Sequence, residues 1–170
     1  MGWLFGAVAQ VVLDLLGRPV FRWFQRPERR RDVLSRDREI FSKIDGFLNE
    51  PELDQMCNVQ LYNGRLSREL GHGADELRRF LEREGSRFAT RRLVKRAQEV
   101  EKKLADVLDF TGTHFFPMEL WEGWALYPEF NLMGREAEYY RYLSDIRHES
   151  GELWETYLRF RKAVRKSLVV

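Results

Sequence analysis

The chain has 170 residues, 33% of them charged and 44% hydrophobic, with a formal net charge of +2. That balance excludes an intrinsically disordered chain and suits one helical domain carrying one appendage. Cys57 is the only cysteine, so an internal disulfide is excluded and an oxidising compartment is not implied.

The chain opens MGWLFGAVAQVVLDLLGRPVFRWFQRPERRR. No basic n-region precedes the apolar run, and Gly6 stands where a myristoylation signal wants Ser or Thr, so neither signal is expected. At about 100° per residue, Gly6, Gln10, Asp14 and Gly17 fall on one narrow stripe. Leu4, Phe5, Val8, Val12, Leu15 and Leu16 spread over the broad opposite side. Residues 1–26 are therefore expected to form an apolar helix separate from the domain that follows.

A helix over residues 3–16 spans about 21 Å, short of the roughly 30 Å hydrocarbon core of a bilayer. Continuing to Phe24 supplies the length but puts Asp14 and Arg18 near mid-membrane. The apolar residues then contribute roughly −5 kcal/mol and the two ions about +6, so a lone span is near break-even. Trp3 and Trp23 with the arginines behind them suit a helix lying in the interface. The Gln10/Asp14 stripe suits self-association or packing on protein. All three placements stay open.

Residues 27–170 read as the helical domain. Val33, Leu34, Ile40, Phe41, Ile44, Phe47 and Leu48 recur at three- and four-residue steps and predict a helix over 28–48. Asn49-Glu50-Pro51 ends it and starts a short helix near 51–61. Leu66, Leu70, Ala74, Leu77 and Leu81 predict a helix over 64–84, weakened by Gly71 and Gly73. After the Gly85-Ser86 turn, Leu93 to Phe110 predict a helix over 90–111. Residues 112–134, punctuated by Gly and Pro, read as an ordered irregular loop. A last helix is expected over 135–168, with a kink at Ser150-Gly151. No repeat and no sustained β-alternation is present. The fold class is all-α: about four long helices in an antiparallel bundle.

Alternating direction gives that bundle two unlike ends. Segments 18–38, 78–96 and 159–166 carry 21 of the 29 Lys and Arg residues against 5 acids, and are expected at one pole. Its candidate contacts are Arg29, Arg30, Arg31, Arg91, Arg92, Lys95, Arg96, Arg161, Lys162, Arg165 and Lys166. The acid-rich segments 45–54 and 106–138 are expected at the other pole. Helix-dipole preference does not account for this, because residues 29–31 and 91–96 are cationic near helix starts. Anionic lipid headgroups are the expected partner, and nucleic-acid phosphate is the competing one.

The stretch FFPMELWEGWALYPEF over 115–130 interleaves aromatics with acids and prolines. It is expected to plug one end of the bundle or to present Phe116, Trp121, Trp124, Tyr127 and Phe130 to a protein partner. Chemistry is harder to find. His72, His114, His148 and Cys57 lie far apart without metal-ligand spacing, GHG at 71–73 is not a phosphate loop, and no nucleophile elbow occurs. No catalytic residue, metal or cofactor is expected. The expected function is a non-enzymatic interaction protein on the cytoplasmic face of a membrane, acting as scaffold or effector subunit. A nucleic-acid-binding module, or a soluble cytoplasmic protein, is the alternative.

Overall fold

The three-and-four spacing of apolar residues becomes a helical fold with one small sheet. A computed structural model of the chain describes residues 31–84, 87–118, 122–126 and 134–168. The opening segment with Trp3, Leu4, Phe5, Gln10, Asp14, Arg18 and Trp23 lies outside the described residues, as do Arg29 and Arg30. So do Trp121, Tyr127 and Phe130.

Helix α1 covers 31–47, and α2 is Glu50–Asp54. The boundary between them is a capping box. Asn49 Oδ1 accepts the Glu52 N–H at 3.0 Å, and Glu52 Oε2 accepts the Asn49 N–H at 2.8 Å. Past Asp54 the helix widens into a π-helical stretch, Gln55–Gln60, in which the Leu61 N–H reaches back to the Met56 carbonyl. A 3₁₀ turn, Leu61–Asn63, follows. Gly64, at φ +65°, then reverses the chain in a conformation that costs other residues free energy.

Three short strands come next in space though not in sequence: β1 Arg65–Ser67, β2 Phe115–Pro117 and β3 Gly123–Leu126. β3 is central and antiparallel to both neighbours, with Trp124 opposite Leu66 and Pro117. This sheet corrects two expectations. The segment after His114 is not wholly irregular, and the helix expected from 64 starts at Arg68. Strands of three or four residues are too short for alternation to register against the surrounding pattern.

The remaining helices are α3 Arg68–Glu84, α4 Arg91–His114 and α5 Glu136–Leu168. α5 runs unbroken through Ser150-Gly151, where the Ser150 hydroxyl donates to the Arg147 carbonyl at 3.2 Å. Side-chain contacts join the helices in pairs. Phe47 meets Phe80 at 5.2 Å between ring centroids, and His114 stacks on Tyr142 at 4.2 Å. Lys103 bonds Glu149 and Glu152. Ile44, Leu53, Leu77, Leu93, Leu104, Ile146 and Leu153 share one fully buried core.

Contacts along α5 fix which segments lie beside each part of it. α5 has 33 residues, about 50 Å. Arg38 meets the carbonyl of Leu168, Asp45 meets Arg161, and the Tyr62 carbonyl meets Arg147. After the break at Asn49 the chain keeps travelling along α5 in the same direction. Residues 45–50 thus lie beside the C-terminal part of α5, not at the opposite pole as expected.

Gly71 and Gly73, which weaken α3 by propensity, are required by close approach. A Cβ at Gly73 would stand 2.8 Å from the Phe47 carbonyl oxygen, and one at Gly71 would stand 2.9 Å from the Trp124 ring.

Candidate interaction surfaces

Three cationic segments meet at one end of the molecule. Asp37 on α1 is fully buried and accepts the N–H of Ala89 at 2.7 Å, the N–H of Thr90 at 3.2 Å and the Thr90 hydroxyl at 2.6 Å. One carboxylate therefore ties α1 to the N-terminus of α4, where helix polarity favours a negative charge. Phe88 packs edge-on against Phe160 at 6.0 Å, and Arg38 Nη2 donates to the Leu168 carbonyl at 2.9 Å. Those contacts bring residues 31–38, 87–96 and 160–168 together.

The cations expected at that end have different fates. Arg31, Arg91, Arg92, Lys95, Lys162 and Lys166 are exposed, and among the described residues none has an acidic partner within 4 Å. Arg96 is half-buried and paired with Glu99. Arg161 is drawn inward and Arg165, still exposed, is ion-paired by the segment that sequence reasoning put at the acidic pole. Arg161 Nε lies 3.0 Å from Glu50 Oε2, its Nη1 pairs with Asp45, and Arg165 Nη2 lies 3.0 Å from the same Glu50 oxygen.

Arg161 is the most enclosed of these cations, with its side chain 16% exposed. It stacks over Phe41 at 4.8 Å and donates to the Tyr157 hydroxyl at 3.4 Å. Burial pushes the Tyr157 phenol up to about 12 despite the opposing pull of the Arg161 charge. Arg161 therefore serves the interior, not an outside ligand. Enclosure of Arg161 and the pairing of Arg165 with Glu50 leave Arg31, Arg91, Arg92, Lys95, Lys162 and Lys166 exposed at this end.

At the far end the sheet carries the aromatic segment. Phe116 is exposed. Trp124 is half-buried instead, packed against α3 beside Gly71 and edge-on to His72 at 6.3 Å. Two exposed tyrosines that sequence reasoning did not single out lie near it in the chain's path. Tyr140 stands beside Tyr139, and Tyr62 lies under the Arg147 guanidinium at 4.2 Å. Only their place in the register could have marked them. This end also holds exposed Arg65, Arg68 and Arg141 among its acids, so it is less acidic than segment counts imply.

Polar chemistry between the ends is satisfied locally. Lys103 on α4 bridges Glu149 at 3.4 Å and Glu152 more closely, and its hydrogen bond holds the Glu152 carboxyl below the usual carboxylate range. His148 lies 3.6 Å from the same Glu152. Among the described residues no group of three or more His, Cys, Asp and Glu side chains is arranged to hold a metal ion. No described helix is long and apolar enough to cross a membrane. Comparison with known proteins finds no matching family, no similar characterised protein and no similar solved structure.

Proposed function

We propose that the chain is a non-enzymatic helical interaction protein, an antiparallel bundle of α1, α3, α4 and α5 that docks its cationic end on an anionic membrane surface. The apolar side of residues 3–24 enters the same leaflet, and the aromatic end faces a cytoplasmic protein partner. The observation that carries this reading is the convergence of unpaired cations from three segments, held by Asp37 and the Phe88–Phe160 contact.

Magnitudes explain why two elements are needed. Each Lys or Arg near an anionic leaflet contributes about 1 kcal/mol, so five or six give about 5–6 kcal/mol. That corresponds to a dissociation constant on the order of 0.1 mM, too weak for lasting attachment. An apolar segment beside the cations supplies the second anchor. The same cations would attract nucleic-acid phosphate. Against that, among the described residues the exposed aromatics Phe116, Tyr62 and Tyr140 lie away from the cations, where they would not stack bases held by them.

Vesicle flotation of the full-length chain tests the reading. Binding to phosphatidylserine-containing vesicles, loss on neutral phosphatidylcholine and weakening from about 0.1 to 0.5 M salt are expected. Absence of binding to either vesicle contradicts it. Salt-sensitive retention of duplex DNA in place of vesicle binding would transfer the cationic end to nucleic acid.

A further inference from the structure

A cavity of about 360 Å³ opens between α3, the last turns of α4 and the sheet. Ligand pockets run from roughly 300 to 1,000 Å³, so this one has the size for a small molecule. Leu66, Leu108, Phe115 and Trp124 supply apolar walls. The larger clefts beside Lys103 and beside Phe47 are lined mainly by charged side chains, several of them already ion-paired.

Two glycines border the cavity on facing helices, Gly71 on α3 and Gly112 on α4. Any side chain at Gly71 would displace the Trp124 ring, whereas a Cβ at Gly112 would meet nothing within 4 Å. α4 thus carries a residue unfavourable to helices at a place where packing does not demand it, on the border of the cavity. The polar groups at the rim are few. The Thr111 hydroxyl is committed to the Leu108 carbonyl at 3.0 Å. Asp75 Oδ2 is held by Arg79 at 2.7 Å, but Oδ1 has Arg78 only at 3.9 Å, beyond hydrogen-bond distance. That oxygen retains capacity to accept a donor.

The geometry points to a binding site for a small planar aromatic molecule that carries an N–H or O–H donor. The ring lies among Trp124, Leu66 and Leu108, and the donor bonds Asp75 at the rim. Trp124 offers both a ring edge and apolar area, and the carboxylate selects among ligands of similar shape. The site is at the end remote from the cationic segments and is independent of membrane docking.

The probe is indole, added to ¹⁵N-labelled full-length protein and followed by amide shifts. Saturable shifts at Gly71, His72, Gly112 and the Trp124 side chain are expected, with a dissociation constant on the order of 1 mM. Indene, of the same shape without the N–H, should bind about five- to tenfold more weakly, and Asp75→Asn should narrow that difference. Gly112→Phe and Leu108→Phe should each abolish the shifts while retaining the wild-type circular dichroism. Absence of saturation by about 5 mM indole, equal affinity for indole and indene, or unchanged shifts in both folded Phe variants would overturn the proposal.

Discussion

Arg161 Nε lies 3.0 Å from Glu50 Oε2, joining residues from either side of the helical domain in a mostly enclosed ion pair. The same guanidinium takes Asp45 and lies over Phe41, so its removal leaves Asp45 without its cation and uncovers the ring. Arg161→Ala should destabilise the fold by about 2–4 kcal/mol, less than a fully buried pair because Glu50 keeps Arg165. Arg161→Lys should recover little, since a point charge cannot serve both acids and the ring. Urea unfolding of the two variants measures this. A loss below about 0.5 kcal/mol for the Ala variant would show an ordinary surface pair.

Asp37 accepts three hydrogen bonds from Ala89 and Thr90 while fully buried. Asp37→Ala should cost about 2–3 kcal/mol by leaving the amides at the start of α4 without a partner. Asp37→Asn keeps the shape and should cost less. Hydrogen exchange at Ala89 and Thr90 should quicken in the Ala variant ahead of the core of α4.

Two helical glycines should respond oppositely to alanine. Gly73→Ala sets a Cβ against the Phe47 carbonyl and should destabilise by about 1–3 kcal/mol. Gly112→Ala meets open space and should stabilise α4 by about 0.5–1 kcal/mol. Thermal melts of both variants decide it, and equal signs would contradict the close approach of α3 to α1.

Alkaline pH should weaken the fold through buried groups. Burial, with a smaller contribution from the Asp54 charge, pushes the Cys57 thiol from 9.0 up to about 12. The unfolded chain then ionises first, so stability is complete below about pH 9 and declines as pH rises toward 12. Tyr157, also pushed up to about 12 by burial, adds to the decline above about pH 10. Unfolding free energies from urea titrations at pH 8 and pH 11 should differ by a few kcal/mol, and Cys57→Ala should reduce the difference. In the folded protein Cys57 should resist thiol reagents until denaturant is added.

Much of this architecture is legible in the sequence because helix periodicity is a local signal. Leu93, Ala97, Val100 and Leu104 mark α4 without any knowledge of neighbours, and Asn49-Glu50-Pro51 marks a true capped start. The sheet is not legible, because β1 pairs with a strand almost sixty residues away and each strand is too short to show its period. The charge layout is legible only in part. Segment counts find the cations near Asp37 and Phe88, but they assume that each long helix runs from pole to pole. The chain instead continues along α5 past Asn49, which sets Asp45 and Glu50 beside Arg161, a tertiary contact that no segment count contains. Trp124 shows the same limit: composition marks it as an anchor, whereas register sets it against Gly71.

Reversing charges at one end and not the other tests the docking claim most directly. Arg91→Glu/Arg92→Glu/Lys95→Glu removes exposed cations at the start of α4, and Arg65→Glu/Arg68→Glu/Arg141→Glu reverses as many at the far end. In flotation with phosphatidylserine vesicles at about 0.1 M salt, the first variant should lose at least tenfold in binding and the second less than twofold. Equal losses in the two variants, or none in the first, would contradict a membrane-docking cationic end.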